Sequence, residues 1–185
     1  MKLKLSVLLV AVSIVFACKN NREENTIKID QLIYLHQQIE NKFMDIDSVN
    51  LFLVYTKMTN DLKEIHYFTD SMDVETVNKI TQAYQHLATF TEATQQFPII
   101  STELIHSKKQ LNNFKQDVSV GLIETAKFHD IYNEEQQILL NLNDILDSTF
   151  SNIHSKMIET ENNYPIVDSI VEHFKQIKIT NSVNQ

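Results

Sequence analysis

Few residues in this chain stand at spacings that could do chemistry. Glu103 and His106 are three apart, a Glu-x-x-His step that turns two ligands to one face of a helix. A bound ion needs a fuller set. The seven histidines, at 36, 66, 86, 106, 129, 154 and 173, contain no His-x-x-x-His pair. The expectation is no metal and no cofactor, with Glu103 and His106 the two candidates if a metal were held. Glu134-Glu135 and Glu159/Glu161 bring carboxylates close together, and such pairs on a helix are expected to face solvent. Gly121 is the only glycine. A phosphate-cradling loop, a dinucleotide fingerprint and a Gly-x-Ser-x-Gly elbow each need more. The residues therefore predict a protein that is not an enzyme.

Cys18 is the only cysteine, so no internal disulfide is open to it. It follows Lys2 and Lys4 and a 12-residue apolar run, Leu5 to Phe16, too short to span a bilayer core. Val15-Phe16-Ala17-Cys18 resembles the lipobox of bacterial lipoproteins, with Phe16 in place of the usual small residue. The resemblance implies a signal peptide over 1–17, lipid on Cys18, and a flexible tether over 18–26. Two or three acyl chains anchor stably where one is marginal. Lys19, in place of Asp, implies passage to the outer membrane, at its periplasmic or surface face.

Asp-Ser occurs four times, at Asp47-Ser48-Val49, Asp70-Ser71-Met72, Asp147-Ser148-Thr149 and Asp168-Ser169-Ile170. Eleven Asp and ten Ser after the leader would give fewer than one such pair by chance. The tripeptides resemble the O-glycosylation acceptor of Bacteroidota envelope proteins, which makes Ser48, Ser71, Ser148 and Ser169 candidate acceptors. Asp-Ser is equally a helix-capping pair. Ser148, inside an expected helix, fits capping worst. The lone Glu-x-x-His is similar to half of a bundle di-iron site, whose second copy is missing here.

The elements that would position these residues are helical. One Gly and two Pro, at 98 and 165, leave little turn chemistry for a sheet. Apolar residues recur at helical spacing from Ile27 to Ile179. The first stripe runs Ile29, Leu32, Ile33, Leu35, Ile39, Phe43 and Ile46. It resumes after Asp47-Ser48 as Leu51, Val54, Met58, Leu62, Ile65 and Phe68. A turn is expected over Thr69–Asp73, then a stripe of Val74, Val77, Ile80, Tyr84, Leu87, Thr91 and Thr94 ending near Phe97-Pro98. The stripe over 102–160, through Leu104, Lys108, Leu111, Phe114, Val118, Leu122, Ala126, His129, Tyr132, Leu139, Leu142 and Leu146, reads as one helix or as two broken at Gly121 or Asn133. Asn162–Pro165 separates a last helix. The expected fold is all-α: an elongated up-down bundle of about four helices over 27–179, with a tail over 180–185.

The net charge is −8; setting aside Lys2 and Lys4 of the leader leaves 14 basic residues against 24 acidic ones, or −10. This balance repels phosphate backbones and argues against nucleic acid. The resulting expectation is a lipid-anchored envelope protein that binds another protein, as an accessory subunit or an immunity or inhibitor lipoprotein. A small-ligand or metal carrier with its site between helices is the alternative. An enzyme without a recognisable motif ranks last.

Overall fold

The computed structural model describes the backbone of residues 2–68 and 72–183, and side chains within 21–68, 72–124, 126–177 and 179–180. It is all-α. The described residues form seven helices: α1 (Lys2–Met44), α2 (Ser48–His66), α3 (Val74–Ala83), α4 (Leu87–Val120), α5 (Thr125–Phe150), α6 (Ile153–Asn162) and α7 (Tyr164–Val183).

The difference from about four helices lies in local breaks. Asp47 caps α2, accepting from Asn50 N at 3.0 Å, and Asp73 caps α3, accepting from Thr76 N at 2.7 Å. The run expected to join 74 to 94 breaks over 84–86, where Tyr84 leaves helical geometry. Gly121 ends α4 at φ 79°. Leu122 N donates to Asp117 O at 2.8 Å and Gly121 N to Val118 O at 3.1 Å, the paired bonds of a Schellman cap. The break expected at Gly121 or Asn133 thus falls at Gly121, and α5 runs through Asn133. Asn152, at φ 64°, separates α5 from α6. Pro165 sits near the start of α7, where its missing N–H costs nothing.

Two expectations are corrected. Pro98 does not end a helix; it lies inside α4. The lost hydrogen bond and ring clash cost about 3 kcal/mol. Packing on both sides opposes that cost, with Phe90, Ala93 and Thr94 buried before the proline and Ile100 and Leu104 after it. The ring itself is exposed. The polar stretch expected as a tether is helical over 21–26, continuous with α1. Thr26 Oγ1 donates to Arg22 O at 2.8 Å, and Lys28 pairs with Glu24 at 2.8 Å, an i,i+4 ion pair that favours helix.

The chain divides into two compact units: residues 1–44 with 100–145, and 45–99 with 146–185. The first unit holds α1, the later part of α4 and most of α5. Lys115 pairs with Asp30 at 2.5 Å and Lys108 with Glu40 at 3.0 Å, which sets α1 and α4 antiparallel. Lys42 Nζ donates to Asn143 Oδ1 at 2.9 Å, while Ile29 clusters with Phe128, so α1 and α5 run parallel. The order is up-down-up.

The second unit holds α2, α3, the start of α4, the end of α5, α6 and α7. Lys57–Asp168 at 2.6 Å and Lys175–Glu64 at 3.7 Å set α2 and α7 parallel. Phe68 stacks on Phe174 with centroids 5.3 Å apart. Phe97 meets Phe52 and Phe150 edge-on at 6.1 and 6.3 Å, geometry aromatic pairs prefer.

Candidate functional site

The sequence-derived site residues whose side chains are described lie on four helices, α2, α4, α5 and α7. The Cys18 side chain and the whole of Ser71 lie outside the described residues. Ser48 is half-buried at the first position of α2, beside the capping Asp47. Ser148 and Ser169 are exposed on α5 and α7. Asp168, next to Ser169, is engaged with Lys57. Glu103 and His106 are both exposed on α4. Among the described residues no three His, Cys, Asp or Glu side chains converge as metal ligands.

The polar residues that converge are ones the stripes passed over. In the first unit, Ile29, Phe114 and Phe128 form one core layer, with the two phenyl rings stacked at 5.4 Å. Two helical turns are seven residues and return a side chain to nearly the same face. Seven steps up α1 and α5, and seven back along the antiparallel α4, lead to His36, Glu135 and Ser107. Seven more lead to Phe43, Leu142 and Ile100. All nine are buried. A polar layer therefore sits between two apolar layers of a three-helix core.

Each member of the layer is held differently. His36 is 2% exposed, and its Nε2 lies 2.8 Å from Leu104 O. A carbonyl only accepts, so Nε2 carries the proton and donates. Nδ1 is 4.0 Å from Glu40 Oε2. Ser107 is 1% exposed, and its Oγ has no hydrogen-bond partner among the described residues; the same is true of Glu135 Oε2, on a residue 7% exposed. Burial pushes the Glu135 carboxyl above the usual carboxylate range, and Glu134 beside it adds to the shift. The expectation that both members of the Glu134-Glu135 pair face solvent is corrected for Glu135. Glu134 is exposed, but the next position is turned 100° into the core.

A pocket of about 90 Å³ opens beside the layer, lined by Ile33, His36, Gln37, Lys108, Leu111 and Asn112. It is polar-rimmed and has room for a few waters.

The second unit gathers a different polar group. Lys57 Nζ donates to Asp61 Oδ2 at 2.9 Å and Asp168 Oδ1 at 2.6 Å, and lies 4.9 Å over the Tyr164 ring. Tyr84 Oη donates to the same Asp61 oxygen. Burial opposes the Lys57 charge, but hydrogen bonds to Asp168 and Asp61 outweigh it and hold the ammonium above its ordinary range. Burial, then Asp61, pushes the Tyr84 phenol far up. Burial and Glu161 raise Tyr164 to about 12. A phenol and an ammonium locked in their protonated forms are poor bases at neutral pH. This cluster ties α2, α3 and α7 together.

The heptad step of the leucines on α5 was the signal that could have found the buried polar layer. Leu142 and Leu139 lead back seven residues to Glu135 and Tyr132, and then to Phe128. Comparison of the chain with protein-family models, with curated proteins and with solved structures finds no match in any of the three.

Proposed function

We propose that this protein is a lipid-anchored helical module of the cell envelope that acts by binding another protein, as an accessory subunit or an immunity or inhibitor lipoprotein. Lipid on Cys18 holds it at the outer membrane. The observation that carries the binding role is the double-sided α2. Leu51, Val54, Met58 and Ile65 are buried on one face, and Val49 and Leu53 are 71% and 63% exposed on the opposite one, with Phe52 beside them at 42%. An apolar stripe at i, i+3 and i+4 is what a partner helix or groove recognises. The small size of the pocket at the core supports this reading over a ligand carrier. The pocket beside His36, about 90 Å³, is well below the roughly 300–1,000 Å³ of a small-molecule site.

The carrier reading keeps support from open surface grooves, among them one of about 720 Å³ lined by Arg22, Glu23, Thr26, Ile27 and Ser119 and one of about 470 Å³ lined by Thr59, Leu62, Lys63, His66 and Tyr67. Exposure also favours Ser148 and Ser169 over half-buried Ser48 as glycan acceptors.

In-cell cross-linking and pull-down of the tagged, lipidated protein tests the binding role, with Cys18→Ala and Val49→Glu/Leu53→Glu alongside. The expected result is one envelope protein in near-equal amount, weakened by loss of the anchor and lost with the α2 charges. Recovery of no partner in any form would overturn the reading and favour a surface groove as a ligand site.

A further inference from the structure

Hydroxyls on the helices of this protein commonly fold back onto their own backbone. Thr59, Thr81, Thr91 and Thr94 donate to carbonyls four residues earlier, and Ser119 and Ser155 to carbonyls three residues earlier. Ser107 does not. The carbonyl three residues before it belongs to Leu104, and that oxygen already accepts the His36 Nε2–H at 2.8 Å. His36 thus occupies one of the two carbonyls, those of Glu103 and Leu104, that a serine at 107 could use, and the Ser107 hydroxyl is left without a partner in the interior. Glu135, at the same core level by helix register, also has an unpartnered oxygen, Oε2. No ion pair joins Glu135 to His36 among the described residues. Two buried polar atoms without partners in one layer cost more than folded cores ordinarily tolerate. The small molecule that satisfies both a hydroxyl and a carboxyl oxygen is one that donates and accepts in the same volume.

We propose that the His36–Ser107–Glu135 layer is an internal hydration site: at least one ordered water lies inside the three-helix unit, donating to Glu135 Oε2 and bonded to Ser107 Oγ. The water donates one proton to the carboxyl and either accepts from or donates to the hydroxyl, whose rotor is free to adjust. His36 also lines the pocket that Gln37, Lys108 and Asn112 share, and the water exchanges with solvent past His36 on that side. His36 has two roles. It diverts Ser107 from its own helix, and it separates the water from bulk solvent, which makes the water long-lived. The site is independent of the proposed partner binding, which rests on α2 in the other unit.

Oxygen-17 magnetic relaxation dispersion on the full chain counts internal waters without interference from labile protons. Wild type is compared with Ser107→Ala/Glu135→Leu, which removes both polar atoms and leaves an apolar layer. The expected result is loss of the contribution of at least one long-lived water, with helix content unchanged by circular dichroism. An unchanged dispersion amplitude would overturn the proposal. If the double variant fails to fold, Ser107→Ala alone is read the same way. There a shortened residence time is expected, and a dispersion identical to wild type counts against the site. His36→Phe frees the Leu104 carbonyl for Ser107 and is expected to reduce the amplitude as well; retention of the full amplitude would overturn the role given to His36.

Discussion

The two compact units treat polar side chains differently. In the second, Lys57, Asp61, Tyr84 and Asp168 close on one another, with donors and acceptors matched across three helices, and Thr160 Oγ1 alone is buried there without a partner among the described residues. In the first, Ser107 and Glu135 enter the core without matching protein partners. A closed network offsets its own desolvation, whereas an open one leaves it standing. The comparison shows that the number of buried polar groups says little about stability. What matters is whether each group finds its complement, and the sign of a substitution should differ between the units for that reason.

The largest effect expected is a reversal within the first unit itself. Phe128→Ala removes a ring from the layer two turns from Glu135 and is expected to destabilise by about 3–5 kcal/mol. Glu135→Leu, in the next polar layer of the same helix, is expected to stabilise by about 1–3 kcal/mol. Denaturant unfolding, with amide exchange on α5 to localise the change, measures both. A destabilised Glu135→Leu would show that protein partners satisfy the carboxyl and would remove the contrast.

In the second unit the corresponding change should have the other sign. Lys57→Met keeps the length of the side chain and strips the charge from Asp61 and Asp168. The expected loss is about 1–2 kcal/mol, with the lower end favoured because Asp168 is half-exposed to screening water. A neutral result would mean that the cluster is closed by geometry and not by energy.

The smallest and most discriminating difference is in pH. The Glu135 carboxyl is raised in the folded protein, so its neutral form is the one that folding favours. Its contribution is fully present below the ordinary glutamate value, near about 4.3, and is lost as pH rises through the raised folded value. Glu159 behaves oppositely. A hydrogen bond from His86, the largest cause, holds it low, with Gln85 assisting, so its contribution is present above the ordinary value and is lost as pH falls. Subtracting the pH–stability profile of Glu135→Gln from that of wild type isolates the first effect. The difference should favour the variant increasingly from acid toward neutral pH, and a flat difference would place Glu135 in solvent.

Local chemistry was readable in the residues wherever it acts over a few positions. Asp47-Ser48, which the residues allow as a cap or as a surface step on one long helix, caps α2; Gly121 takes the break offered there or at Asn133; and Asn162–Pro165 separates the last two helices. Two kinds of feature were not readable. Pro98 is tolerated because buried neighbours on both sides hold the helix through it, and that packing belongs to the tertiary structure. The stripe followed through Ala126 and His129 was one to two positions out of phase, because the turn at Gly121 resets the helical angle. Both of those residues are exposed, and Phe128 carries the core. An apolar search is also blind to a layer made of His, Ser and Glu, and it places Lys108 on the inner face where Ser107 stands.

The first unit is assembled from two separated stretches of chain, 1–44 and 100–145. During synthesis α1 emerges long before the segments it packs against. At roughly 5–20 residues per second, its apolar stripe waits on the order of ten seconds for residue 145 to follow. Closing so long a loop is slow as well as entropically costly. Through that interval Ile29, Leu32, Ile39 and Phe43 are an adhesive surface on an unfinished chain. A protein built this way depends on being kept apart from its neighbours while it is made, so its yield in the cell should be sensitive to holding chaperones before it is sensitive to temperature.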